Sequence, residues 1–230
     1  DGHRIDQRDA LEAAGHDISE ITNKAAASFF NQIFRDGYFH ADMHPGNIFI
    51  TEDGTLVPID FGIMGQLDLK DRLFLAQLLV ALLTRDYDRV ASLHEEAGML
   101  PDEISLPQFS QNLRAVIDPV LGKSLGDISL GLVLGQILQL STRFEISVQP
   151  QFNLLQKTMV MSEGVARNLN PHANMWELSR PLAEEWMGQH THPAAVLERA
   201  FQETRRVILR LPDLLDQLEK RSEPVAWQPR

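Results

Sequence analysis

The stretch that decides the fold is YFHADMHPGNIFITEDGTLVPIDFG, Tyr38 to Gly62. Three polar side chains in it have the spacing a magnesium–nucleotide site needs. Asp42 lies in a tight His40-Ala41-Asp42 loop, Asn47 opens the apolar run Ile48-Phe49-Ile50, and Asp60 closes a second run, Leu56 to Ile59. Between the runs, Asp53-Gly54 is a strong hairpin signal. A two-residue turn there opposes Glu52 to Thr55, Ile50 to Val57 and Asn47 to Asp60. Directly opposed residues have Cβ atoms about 4.5–5.5 Å apart, so an amide oxygen and a carboxylate lie side by side, which suits a hard cation. A longer turn shifts the register slightly and still lets the two ends converge.

The arrangement is the kinase pattern H-x-D-x-x-x-x-N followed by D-F-G, here His40-Ala41-Asp42 with Asn47 and then Asp60-Phe61-Gly62. In that pattern Asp60 and Asn47 are the metal and cofactor ligands for magnesium and ATP, and Asp42 orients or deprotonates the attacking hydroxyl or water. His40 holds the loop by packing and hydrogen bonding, and His44 orients it. A transition-metal site at His40, Asp42 and His44 is the competing reading, since imidazoles and a carboxylate suit such ions, but it leaves Asn47 and Asp60-Phe61-Gly62 without a role.

HADMHPGN, a hairpin, IDFG and then a helix, with the later SVQPQFNLLQKT segment (Ser147 to Thr158), resembles the UbiB family of atypical kinase-like proteins. The resemblance implies an ATP-dependent atypical kinase or ATPase that supports ubiquinone biosynthesis. It also implies a lipid or quinone-precursor-like small molecule and other quinone-biosynthesis proteins as partners. The implied location is the cytoplasmic face of the bacterial inner membrane, with anchoring helices C-terminal to the kinase-like part. The fold class expected is mainly α: a protein-kinase-like C-lobe with one short β-hairpin carrying the metal site, followed by extra helices. The domain reading is a C-lobe over 1–145 (catalytic loop 38–47, hairpin 47–60, D-F-G 60–62) and a helical extension over 146–230 packed on it, with the N-lobe absent.

That absence is read from the five lysines, Lys24, Lys70, Lys123, Lys157 and Lys220. None lies in a V-A-I-K-like strand before the catalytic loop, and there is no glycine-rich phosphate loop. The 230-residue chain is therefore expected to fold without turning over ATP. An apolar rim near the hairpin, with Ile48, Ile59 and Phe61 as candidates, is expected to stay exposed for the missing lobe. Between Gly62 and Thr84 there is no serine, threonine or tyrosine and no A-P-E. A peptide-docking activation segment has no room there, so a small or lipid-like acceptor, or water, fits better. Two alternatives carry the same loop chemistry. One is a small-molecule phosphotransferase of the aminoglycoside or choline kinase type, whose motif after the hairpin usually departs from D-F-G. The other is a pseudokinase scaffold that binds partners through its helical surface.

The bulk numbers bound the rest. A net charge of −11 argues against a nucleic-acid binder and says nothing against a nucleotide whose metal supplies positive charge. With no cysteine, disulfides, thiol catalysis and thiolate sites are excluded. The chain begins at Asp1, reads as a soluble piece of something longer, and has no apolar run near the roughly 20 residues that span a bilayer.

Around the central stretch, Asp1-Gly2-His3-Arg4 reads as a connector. Asp17 starts a helix with a D-x-x-E signal that Gly37 ends. Asp68 caps an almost wholly apolar helix from about Leu69 to Thr84, the expected buried centre. Further helices are expected over Asp86–Ala97, from Ser105, from Asp127 through a close-packing Gly131-x-x-x-Gly135, over Pro150–Leu169, over Asn174–Gln189 with a kink at Pro181, and over 193–210 and 213–221. Arg205, Arg206 and Arg210 make a small basic face.

Overall fold

In the computed structural model the residues described are 2–121, 129–146 and 148–191. The expected elements over 193–210 and 213–221 and the basic face at Arg205, Arg206 and Arg210 lie outside them. The chain is mainly helical, as its patterning implies, and a compact unit runs to Met187.

Strand β1 (Gly2–Arg4) leads into helix α1 (Arg8–Ala13) and helix α2 (Ile18–Asn31). The Asp17 carboxylate caps α2 by accepting from the N–H groups of Ser19 and Glu20, two of the donors a helix start leaves without partners. Its last turn widens into a π-turn, Gln32–Asp36, closed by Gly37 at φ +70°. Gly37 is required there twice over: its φ is left-handed, and an added Cβ would lie 2.7 Å from the Leu67 carbonyl oxygen.

Four short strands then frame the central stretch. Strand β2 (Tyr38–His40) pairs antiparallel with β5 (Met64–Gln66), while β3 (Ile48–Thr51) pairs with β4 (Leu56–Pro58). The other edge of β3 is taken by β1, with His3 opposite Ile50. The first residues are thus a strand rather than a connector. Three residues carry too little alternation to signal a strand, and tertiary pairing along the open edge of β3 decides it.

Helix α3 (Leu69–Leu83) starts at Asp68, whose carboxylate accepts from the Asp71 N–H. Leu75, Ala76, Leu78, Leu79, Ala81 and Leu82 are all buried, so this is the central helix its composition demands. Helix α4 (Tyr87–Glu96) ends at Gly98, and α5 (Leu106–Leu121) follows. Helix α6 (Leu130–Arg143) is capped by Ser129, whose hydroxyl accepts from the Leu132 N–H. Asp127, expected as that cap, lies outside the described residues. Helix α7 (Pro150–Leu169) begins with proline in its first turn, where no N–H is needed. Helix α8 (Met175–Thr191) carries Pro181 within it.

The small residues of α6 are close-packing sites, as expected. A Cβ on Gly131 would meet the Val160 backbone nitrogen of α7 at 2.7 Å, and one on Gly135 would meet the Gln156 amide at 3.1 Å. The larger core gathers α2 through α8. A smaller core lies beneath the three-stranded sheet, where Ile48 and Ile50 of β3 meet Val165 and Leu169 of α7. Among the described residues, no helix is long and apolar enough to cross a membrane.

Candidate functional site

The site is built at one end of the β3–β4 hairpin. Its turn is one residue longer than the Asp-Gly signal suggests. Ile50 opposes Leu56, Phe49 opposes Val57 and Ile48 opposes Pro58. The loop is Glu52-Asp53-Gly54, with Gly54 at φ +76° and its N–H donating to the Thr51 carbonyl at 2.9 Å. A three-residue loop with left-handed glycine in its last place is the next most common hairpin after the two-residue forms. The Asp53 carboxylate stabilises it by accepting from the Thr55 N–H at 3.2 Å and from the Thr55 hydroxyl at 3.0 Å. The direct opposition of Asn47 and Asp60 is therefore corrected. The Ile59 N–H donates to the Asn47 carbonyl at 2.8 Å, and Asp60 comes one residue beyond.

That slip of one residue changes the local geometry without separating the two ends. Asp60 leaves the strand with φ +57°, a left-handed conformation that aspartate tolerates better than most residues. Its Oδ1 accepts from the Gly62 N–H at 3.3 Å, closing the turn at D-F-G. Asp60 is exposed and makes no ion pair among the described residues.

His40 is the hub. It is fully buried, and both ring nitrogens are used. Nε2–H donates to the Ile59 carbonyl at 2.9 Å, and Nδ1 accepts the Asp42 N–H at 3.1 Å. One imidazole therefore ties the loop carrying Asp42 to the residue before Asp60. Asn47, also buried, donates from Nδ2 to the Asp42 carbonyl at 3.1 Å and fastens the loop to the start of β3. An amide held by its nitrogen keeps its oxygen as an acceptor.

This geometry removes the transition-metal reading, because neither nitrogen of His40 has a lone pair to offer. His44 also acts locally: its Nδ1 accepts the Gly46 N–H at 3.0 Å and caps the short 3₁₀ turn at Pro45–Asn47. Its Nε2 stands 3.9 Å from the Asp42 carboxylate. Among the described residues, no cluster of three or more histidine and carboxylate side chains could hold a metal ion. What stands at this end of the hairpin is two carboxylates and an amide, the hard oxygen donors that magnesium prefers.

The segment after Gly62 is short and tied down. Strand β5 returns it to β2, the Ala41 N–H donates to the Ile63 carbonyl at 3.0 Å, and α3 begins at Leu69. Around the site lie Tyr38, Ile59, Phe61, Ile63 and Met64, all large, apolar and exposed. The Phe61 ring still reaches His40, with centroids 5.3 Å apart. Ile48, expected on this rim with Ile59 and Phe61, is instead 2% exposed. The longer turn slips one strand against the other, so Ile48 and Ile59 take opposite faces of the hairpin, and Ile48 lies in the smaller core.

Two supports of the loop carry no local sequence signal. The Gln32 side chain, at the start of the π-turn, accepts the His40 N–H at 2.9 Å. Thr158 of α7, 117 positions from its partner, donates from Oγ1 to the Ala41 carbonyl at 3.2 Å. Side-chain contacts to backbone at such separations have no periodicity to reveal them.

Comparison with known families gives two matches. Residues 1–94 match the ABC1 atypical kinase-like domain, which contains the hairpin, the loop and D-F-G. Residues 113–174 match the UbiB helical domain, which contains α6 and α7. The two matches fall on the chain in the order the motifs predict, and together they take in more than half of it. The chain belongs to the UbiB family of atypical kinase-like proteins.

Proposed function

We propose that this chain carries the magnesium–ATP site of an atypical kinase or ATPase. The observation that carries the reading is the His40 imidazole, whose two hydrogen bonds link the Asp42 loop to the position before Asp60. A structural loop has no need to spend a buried histidine in joining two half-exposed or exposed carboxylates; a site that must hold them in fixed relation does. Asn47 and Asp60 are the residues that would hold magnesium. Their hard oxygen donors fit that ion, and the ion supplies charge neutralisation for the phosphates when bound. Asp42, held through its own N–H and carbonyl, orients the attacking hydroxyl or water and accepts its proton. Catalysis of this type rests mainly on positioning.

The acceptor we propose is a small or lipid-like molecule, of the quinone-precursor kind, or water. Two facts support this: α3 follows D-F-G too closely for a peptide-docking segment, and the family is UbiB. A supporting role in ubiquinone biosynthesis at the cytoplasmic face of the bacterial inner membrane, with other proteins of that process, rests on the family alone. The exposed rim of Tyr38, Ile59, Phe61, Ile63 and Met64 is the natural seat for an element that covers the phosphates.

Calorimetric titration with ATP and magnesium tests the reading. Binding is expected for the wild-type chain and is expected to be lost or weakened at least tenfold in Asp60→Asn. Binding that requires no magnesium, or that Asp60→Asn leaves unchanged, overturns it.

A further inference from the structure

The loop that carries Asp42 is bedded on helix α7, which lies wholly in the helical-domain match. Burial alternates along the loop: Ala41 and Met43 are 3% and 2% exposed, and Asp42 between them is half-exposed. The two buried neighbours both turn toward α7. The Ala41 carbonyl accepts from Thr158, and Met43 shares the smaller core with Val165 and Leu169. Ser162 and Ala166 flank Met43 across a small cavity. Positions 158, 162, 165, 166 and 169 recur at helical spacing, so one face of α7 receives the loop. With its neighbours held on that face, the Asp42 side chain is directed to the other.

We infer that Thr158 is a positioning residue for Asp42, holding the loop on the face of α7 that receives it. This rests on the proposed role of Asp42 as the group that acts on the acceptor. The ordinary role of a buried helical threonine is to return its hydroxyl to the carbonyl four residues back, and Thr158 does reach the Leu154 carbonyl at 2.8 Å. The two acceptors differ in what they lose without it. The Leu154 carbonyl lies inside α7 and has the helix's own N–H as partner. For the Ala41 carbonyl, Thr158 is the donor found among the described residues. A buried carbonyl stripped of its donor is costly, and the loop can relieve that cost only by moving.

The test compares Thr158→Val, which keeps the shape and removes the hydroxyl, with Thr158→Ser, which keeps the hydroxyl, in the 230-residue chain. Hydrogen exchange is followed at each amide. Thr158→Val is expected to speed exchange at Ala41 and Asp42 by about tenfold, the scale of one hydrogen bond. Amides of α4 and α5 should change less than about twofold. Thr158→Ser should restore protection at Ala41 and Asp42. Equal acceleration throughout the core would make Thr158 an ordinary packing residue and overturn the inference, as would unchanged exchange at Ala41 and Asp42. Magnesium–ATP titration of the same variants separates this from the functional reading. Affinity unchanged within about twofold in Thr158→Val is expected, because Asp42 is assigned to the acceptor; a drop matching that of Asp60→Asn overturns the assignment of Thr158 to Asp42. A wild-type chain that binds no ATP refutes the proposed function, while the exchange pattern still decides whether Thr158 holds the loop.

Discussion

His40 donates from Nε2 to the carbonyl of Ile59, 2.9 Å away and 19 positions along the chain. The same ring accepts the Asp42 N–H, so its protonation pattern is set: hydrogen on Nε2, lone pair on Nδ1. His40 thus serves as a brace, and its chemistry resides in where it holds the backbone.

His40→Phe keeps an aromatic ring beside Phe61, adds volume at a fully buried position, and strips both hydrogen bonds. The Ile59 carbonyl and the Asp42 N–H are left without partners, at about 1–3 kcal/mol each. The expected result is a loss of about 2–6 kcal/mol in urea unfolding, together with magnesium–ATP affinity reduced at least as much as in Asp60→Asn. A stable variant with full affinity would show that the brace is dispensable.

Gly65 tests how firmly the segment after D-F-G is held. A Cβ there would lie 2.1 Å from the Phe39 ring, and Phe39 is fully buried on the paired strand, with no room to withdraw. Gly65→Ala is expected to part β5 from β2 and to cost about 1–3 kcal/mol, the usual range for overpacking. The accompanying sign is faster exchange at the Ala41 N–H, which is bonded to the Ile63 carbonyl. Gly62→Ala makes the control: its nearest neighbour would be the flexible Asp60 carboxylate at 3.1 Å, so a smaller loss is expected.

The fold was legible in the sequence wherever one local signal decided the outcome. Asp17, Asp68 and Asp86 each cap the helix they were expected to start, and Gly131 and Gly135 meet α7 closely. Where two local signals competed, the wrong one was easy to choose. Asp53-Gly54 serves a two-residue or a three-residue turn equally well, and the single residue of difference exchanged the partner of Asn47 from Asp60 to Ile59. Strand β1 and the β2–β5 pair were invisible, because strands of three residues are fixed by what lies beside them. The residue types of the site, Asp42, Asn47 and Asp60, stand out by spacing; their supports, Gln32 and Thr158, do not.

Glu163 gives a pH signature in the helical domain. It is a residue of α7, 3% exposed, and its carboxylate reaches the start of α6, where it accepts from the Ser129 hydroxyl and from the Leu130 and Gly131 N–H groups. Those bonds and Arg167 pull its pKa down, but burial outweighs them and raises it above the ordinary value of 4.5. A carboxyl raised on folding binds more protons in the folded state than in the unfolded state across the window between the two values. Its contribution to stability is therefore complete below pH 4.5 and is lost as pH rises through the folded value. Urea midpoints measured upward from pH 4.5 should fall more steeply for wild type than for Glu163→Gln, which does not titrate. His94 works in the opposite sense: burial among Phe74 and Phe109 lowers its pKa from 6.5, so its contribution is present above pH 6.5 and is lost as pH falls. His94→Phe should flatten the acid side alone. Identical pH slopes in wild type and both variants would refute both assignments.

The proposed roles of the two aspartates divide binding from chemistry. Asp60 is assigned to the metal, so Asp60→Asn removes a charge that the magnesium–nucleotide complex needs, and turnover should fall because binding falls. Asp42 is assigned to the attacking group. Asp42→Asn leaves the loop bonds untouched, because they run through the backbone N–H to His40 and the backbone carbonyl to Asn47. The substitution changes only the half-exposed side chain, which can no longer accept a proton as a carboxylate does. In a preparation that turns over ATP, Asp42→Asn is expected to keep magnesium–ATP affinity within about twofold and to lower turnover by roughly 10²–10⁴-fold, the scale of a positioned base. A loose transition state that asks the aspartate only to orient the acceptor would put the loss at the lower end of that range. Calorimetry gives the affinity and phosphate release gives the turnover. Equal loss of binding in both variants would make Asp42 a second metal ligand, and unchanged binding in Asp60→Asn would remove the kinase-like site altogether.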